Sequence, residues 1–379
     1  MARHMAVISG AGCSAYAMKS GRTAAALIGD AIAAALDEAG LHKSEVDGLI
    51  VQGGLDYDMV GINFGLETRY SMQTWAHGRL TGPTILTAAA VIAAGMARHV
   101  LCVHGRSGVS RFGGTPSVEA SREGGGAHGE VPYYGLTAPG SAAALSWRRY
   151  VDLYGADIDA LRHVVAAQRH NATLNPNAVL RDKPLSEDDY LSERFIIEPL
   201  RRADFALPND GAAAVIVSAP EAAPSGLPIL GGQGMIGGRS EAVFARPGME
   251  LAYQDDPVGS WTYADPEAYR AAGITARDIH VVGIYDSFSP SVILDLERFG
   301  HCREGEGWRF VAEGRMAIGG DLPVNTSGGH VAESGLSGWN HVVELYRQLR
   351  GQAGARQVAG AQVGQFISPN GCTVILGAA

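Results

Sequence analysis

Two short stretches of this chain are built to hold a developing negative charge. One runs from Asn325 to Gly338 (NTSGGHVAESGLSG) and opens into WNHVVELYRQLR. The other, His77-Gly78-Arg79-Leu80-Thr81-Gly82-Pro83, opens into TILTAAAVIAAGMA. A glycine turn that leads straight into a helix leaves backbone N–H groups without partners inside the helix, at the positive end of its dipole. Laid over each other, Arg79-Leu80-Thr81-Gly82 matches Gly335-Leu336-Ser337-Gly338. Each could be no more than a glycine helix start. Their pairing, one per half, marks them as the expected active site.

Other chemistries find less support. Cys13, Cys102, Cys302 and Cys372 form no CxxC pair and have no zinc-like spacing with histidine, so no metal is expected. Gly124-Gly125-Gly126 follows no strand, and neither a P-loop nor a dinucleotide fingerprint is present, so no bound cofactor is implied. A net charge of −9 argues against nucleic-acid binding, which needs a basic footprint. The N-terminus lacks a signal peptide's apolar segment, and the longest apolar run, Thr84 to Ala97, is cut short by Arg98 and His99. No membrane association and a cytoplasmic location are expected.

The elements that must position the two turns follow from periodicity. Met5–Gly10 reads as a strand, Arg22–Gly40 as an alanine-rich helix capped by Gly40, and Val46–Val51 as the next strand. The unit recurs: Ala35 to Leu41 matches Ala268 to Ile274, with Gly40 over Gly273. Strands alternating with helices in this way predict parallel α/β layers in both halves. Buried strands are expected at Val100–Val103, Ala212–Val217 and Cys372–Gly377, and a helix around Asp157–His170. An insertion of about 107–205 opens with a glycine-rich loop, Gly108 to Gly129. The expected division is 1–225 and 226–379, with Pro220–Pro228 as linker and Ile229 opening the second half.

With the duplicated halves in place, the series HNATLNPNA, DDYLSERFIIEPL, DGAAAVIV, YDSFSP, ERFGHCREGEG and LPVNTSGGH resembles the thiolase superfamily. More narrowly it resembles the sterol carrier protein X and lipid-transfer-protein branch, over essentially the whole chain. The resemblance implies a duplicated five-layered αβαβα fold, a homodimer, and acyl-CoA thioesters as substrates.

Carried over position by position, the resemblance also removes chemistry. The thiolase nucleophilic cysteine falls on Arg79, whose guanidinium cannot form an acyl-enzyme. The thiolase Gly-His histidine falls on Gly335. Cys372 follows Asn370-Gly371, whereas the family's second cysteine precedes its glycines, so that role does not transfer. The family's asparagine motif becomes Tyr285-Asp286-Ser287-Phe288, which resembles the thiolase-like aldolases of steroid side-chain degradation. The implied chemistry is retro-aldol: Tyr285 takes the β-hydroxyl proton while backbone N–H groups hold the thioester oxygen. Such a base needs a lowered pKa, for which Arg79 is a candidate cation. The aldolases' second tyrosine is missing at Gly335, leaving His330 or His77 as substitute proton donors. Asp286 is expected to orient a loop. Gly82, Gly328, Gly329, Gly335 and Gly338 are expected to form the substrate-facing turns.

The function expected is thus an acyl-CoA lyase cutting a β-hydroxyacyl-CoA into a ketone and a short acyl-CoA. The alternatives are a non-catalytic acyl-CoA-binding scaffold and a residual acyltransferase working through Cys372. By resemblance the partners are a small OB-fold and zinc-ribbon subunit, with a hydratase alongside.

Overall fold

A threonine and a glycine bracket the first long helix. The Thr23 side chain accepts the Ala26 N–H at its start, and Gly40, at φ 64°, ends it. The second half repeats the stop with Gly273 at φ 68°. Each glycine is followed by a single 3-10 turn, Lys43–Glu45 or Ala276–Asp278, and then a buried strand. The expected repeat is therefore present.

The computed structural model describes residues 5–109, 140–236, 263 and 265–379. Most of the expected glycine-rich loop, Gly108 to Gly129, lies outside the described residues. From the N-terminus the chain runs β1 (Val7–Cys13), α1 (Ala24–Ala39), β2 (Gly48–Gln52), α2 (Tyr57–Phe64), β3 (Tyr70–Thr74), α3 (Thr81–Ala93) and β4 (His99–Arg106). Next come α4 (Gly140–Tyr154), α5 (Leu161–Thr173), α6 (Glu187–Ser192), a small hairpin of β5 (Phe195–Ile197) and β6 (Leu200–Arg201), and β7 (Gly211–Ser218). After β8 (Leu227–Gln233) come α7 (Glu267–Ala272), β9 (Val281–Ile284), α8 (Pro290–Arg298), α9 (Gly307–Ala312) and α10 (Gly329–Ala332). The chain closes with α11 (Trp339–Leu349), β10 (Val363–Ser368) and β11 (Cys372–Gly377). Strand β8 begins at Leu227, inside the stretch expected as linker, two residues before the Ile229 expected to open the second half.

The strands are hydrogen-bonded in the order β3-β2-β4-β7-β1-β8-β11-β10-β9. Parallel pairing is confined to β2 with β3 and β4, and β9 with β10. The other pairs are antiparallel, so the expected parallel layers are in fact mixed. One cause is local: Asn370 and Gly371, at φ 64° and 71°, make a tight turn that folds β11 straight back on β10. Strands β1 and β8 join only at Val7–Pro228 and Ile8–Leu227, so the sheet divides there into two wings.

Helices α3 and α11 each contact strands of both wings and form the middle layer. Helix α1 covers the outer face of the first wing, and α7 and α8 that of the second. The stack reads αβαβα. A helix in the middle layer has no solvent face, and α11 is buried from Trp339 to Tyr346, polar residues included. Its Glu344 is matched by the Arg356 guanidinium at 2.9 Å and 3.1 Å, so the buried charge is paired.

Candidate active site

The middle layer sets the two glycine turns against each other. Thr81, first residue of α3, lies with its hydroxyl 2.5 Å from the Ser337 carbonyl, and these residues are equivalents in the repeat. Gln52, at the end of β2, links both sides. Its Nε2 donates to the His77 carbonyl at 2.8 Å, while its Oε1 accepts from Trp339 Nε1 at 3.0 Å.

Tyr285 stands between the turns. It follows the apolar strand β9, and its N–H donates to Ile367 O at 2.9 Å, which fixes its register beside β10. A Cβ on Gly78 would lie 1.7 Å from Tyr285 Cε2, and one on Gly338 would lie 3.3 Å from Cδ2. The ring thus rests directly on the backbone of the first turn and close to that of the second, and only glycine fits at Gly78. The His330 ring meets Tyr285 edge-on at 4.6 Å.

Burial pushes the Tyr285 phenol above its ordinary range. A Ser287 side-chain hydrogen bond, Arg106 and Arg79 work against that rise, and Asp286 adds to it. The expected lowered pKa is not found, because desolvation outweighs both cations. Arg79 is also the lesser cation here. Its Nε donates to His77 Nδ1 at 3.2 Å, and its N–H to the same atom at 3.1 Å. His77 therefore caps the 3-10 turn Gly78–Leu80.

Several N–H groups expected to await an oxyanion are already engaged. Besides that of Arg79, the Gly335 N–H donates to Asn209 Oδ1 and the Gly338 N–H to His330 Nε2, both at 2.8 Å. His330 consequently has its Nε2 lone pair occupied. Burial, with His341 beside it, pushes its pKa down to about 3, so the ring is neutral. It is 1% exposed. In this structure the buried His330 ring braces the second turn through the Gly338 N–H.

Asp286 is the hub of that brace. Its Oδ1 accepts the His330 N–H at 2.9 Å and His341 Nε2 at 3.0 Å, and its Oδ2 accepts Gln168 Nε2 at 2.7 Å. Burial alone would raise its pKa, but the His341 hydrogen bond and the neighbouring imidazoles bring it below the ordinary value. Asp286 is fully buried, and its carboxylate ties the loop after β9 to α10, α11 and α5. Gly328 and Gly329 take left-handed backbone, and a Cβ on Gly329 would lie 2.3 Å from Asp286 Oδ2. Asp286, His330 and His341 are also the one group among the described residues with metal-ligand proximity, their donor atoms lying within 4.8 Å of one another. Asp286 Oδ1 is already shared by two N–H donors, and hydrogen bonding accounts for the arrangement.

Gly335 is fixed by crowding: a Cβ would lie 2.3 Å from the Leu207 carbonyl oxygen and 3.3 Å from Arg106 Nη2. No side chain fits. At the first turn, a Cβ on Gly82 would lie 2.5 Å from Cys372 Sγ. That thiol is buried, and desolvation pushes it up to about 12 against a Ser368 hydrogen bond, so it stays protonated at neutral pH. Sequence reasoning missed Arg106, Gln52, Asn209 and His341. A polar residue at the end of an apolar strand, as in GLIVQ and VLCVHGR, was the available sign for the first two.

Comparison with known proteins places this arrangement. Residues 251–375 match the thiolase C-terminal domain-like family. The chain is 30% identical to a steroid side-chain-cleaving aldolase of Thermomonospora curvata, over 91% of this chain and 90% of that one. It is 31% identical to a 17-hydroxy-3-oxo-4-pregnene-20-carboxyl-CoA lyase of Mycobacterium tuberculosis, over 94% of each. A solved Ltp2–ChsH2(DUF35) aldolase chain superimposes with a TM-score of 0.86 at 29% identity, covering 98% of this chain and 97% of that one. The chain belongs to the thiolase superfamily, in the branch of the sterol carrier and lipid-transfer proteins. Within that branch it is related to acyl-CoA lyases. No helix among the described residues is long and apolar enough to cross a membrane.

Proposed function

We propose that this protein is an acyl-CoA retro-aldolase that cleaves a β-hydroxyacyl-CoA carrying a bulky, steroid-like or aromatic group into a ketone and a short acyl-CoA. The observation that carries the reading is the seat of Tyr285, on the bare backbone of Gly78 and beside Gly338, in a chain related throughout its length to two such lyases. As a phenolate, Tyr285 removes the β-hydroxyl proton. The O–H electron pair becomes the carbonyl π bond, the Cα–Cβ bond breaks, and its electrons pass to the thioester as an enolate. The proton is then returned to Cα. With Gly335 bare and His330 Nε2 engaged, we assign that return to Tyr285 itself, which regenerates the phenolate; His77, whose Nδ1 accepts from Arg79, is the rival donor.

Two rival readings stand beside this one. Acyl transfer through Cys372 has the thiol's position against Gly82 in its favour and its burial against it. A non-catalytic scaffold has the filled second turn in its favour. We further infer a DUF35-type partner, from the solved complex of that kind. Incubation of β-hydroxyacyl-CoA thioesters of graded bulk with the protein, alone and with such a partner, separates the three. Release of a ketone with a matching short acyl-CoA supports the lyase. An acylated Cys372 by mass spectrometry supports transfer, and tight binding without product supports the scaffold.

A further inference from the structure

We propose that Arg106 is a positioning residue that holds a positive charge opposite the Tyr285 phenol, in the space that the side-chain-free Gly335 leaves beside the second turn. The inference rests on the lyase reading and names the cation that offsets part of the cost of ionising its buried base. Arg106 ends β4, where it pairs with Gly211 of β7. Its Nε donates to Asn209 O at 3.0 Å and its Nη2 to Leu207 O at 3.1 Å. Leu207 O is the atom that forbids a side chain on Gly335, and Asn209 Oδ1 holds the Gly335 N–H. One loop, 207–209, therefore both excludes a side chain from the second turn and aims a guanidinium at the same spot.

Two of the five guanidinium N–H groups are taken by those carbonyls, and the rest have no hydrogen-bond partner among the described residues. Charge on the phenol comes from every side of the site. Arg106 faces it from β4, Arg79 from the first turn and Asp286 from the next position in the chain, while the neutral His330 ring meets it edge-on from α10; Asp210 acts in turn on Arg106. Among the charges, Arg106 acts on the phenol more strongly than Arg79, which is tied back to His77. Because arginine stays protonated, it cannot replace a missing proton donor. What it offers is a fixed counter-charge as the phenol ionises.

The test is an ultraviolet difference titration in which subtracting Tyr285→Phe isolates the Tyr285 phenol, repeated in Arg106→Gln and Arg106→Lys backgrounds. Arg106→Gln keeps an N–H donor for the loop but deletes the charge, and is expected to move the phenol's titration up by about one unit or more. The rising limb of kcat/KM with pH should move by the same interval, lowering the rate about tenfold at a fixed pH below both values. Arg106→Lys keeps the charge without the fork and is expected to hold the phenol within about half a unit of the parent. A phenol unmoved in folded Arg106→Gln protein, or a Lys variant that shifts as far as the Gln variant, overturns the proposal. Should Arg106→Gln not fold, the Lys variant decides by that same half-unit criterion. Absence of turnover in the parent protein would instead sink the lyase reading, and the titration would still judge Arg106.

Discussion

The two glycine turns are equivalent in the repeat, yet they have been filled in opposite ways. At the first turn, Arg79 carries a large, partly exposed side chain, capped locally by His77. At the second, Gly335 is walled in by the Leu207 carbonyl, and both its own N–H and that of Gly338 are consumed by protein side chains. The first turn carries a long charged side chain. The second has no side chain at Gly335 and forms a wall against which Tyr285 and Arg106 are set. A duplicated fold thus need not keep duplicated surroundings: one turn bears a guanidinium side chain, and the other has its amides engaged by protein side chains.

The sharpest break between the turns is steric. Gly335→His, which would restore the histidine the resemblance places there, is expected to cost about 3 kcal/mol or more through overpacking against a backbone oxygen. Arg79→Cys at the equivalent first-turn position should fold with little loss. Equal melting temperatures for the two variants in denaturation scans would erase the contrast. Next in size is the brace. Asp286→Asn removes the buried charge shared by His330 and His341 and is expected to destabilise by about 3 kcal/mol, read by urea unfolding. A loss under half of that would mean the hub is dispensable.

Acid is expected to act through three buried histidines. Desolvation lowers His330 to about 3 and His104 and His301 to about 4, against an unfolded value of 6.5. The unfolded chain therefore binds more protons below 6.5, so stability is full above that pH and is lost as pH falls towards 4 and 3. Melting temperature is expected to drop steadily from pH 6.5 to 4, and Asn at His330 should flatten part of the slope. The smallest effect is expected at the first turn's buried thiol. Cys372→Ala should cost about 1 kcal/mol and leave turnover intact, and loss of turnover there would revive the transfer reading.

How much of this was legible in the sequence depends on the range of the contacts involved. The helix–glycine–strand repeat could be read because periodicity and a glycine stop act within a few residues, and Gly40 and Gly273 adopt the same left-handed cap. That Tyr285 belongs with the two turns was implied only by the family resemblance, and the packing of its ring on Gly78 and near Gly338 is visible only in the structure. Helix–strand alternation points to parallel pairing, whereas the Asn370-Gly371 turn imposes the antiparallel pairing of β10 with β11. The meeting of Arg106 with Asn209 was out of reach: the strand end VLCVHGR marks Arg106 as polar, but the two join the site through the β4–β7 register and a loop over a hundred positions further along the chain, which no local pattern encodes. The engaged N–H groups were hidden for a similar reason. A glycine turn announces free amides, and only the packed structure shows that His77, Asn209 and His330 occupy them.

The central claim is that a phenol seated between two altered turns breaks a carbon–carbon bond. The most direct measurement is the rate of ketone release from a bulky β-hydroxyacyl-CoA by the parent protein and by Tyr285→Phe. Loss of the hydroxyl as a general base is expected to lower kcat by about 10²- to 10⁴-fold with little change in substrate binding. Equal rates in the two proteins would contradict the account.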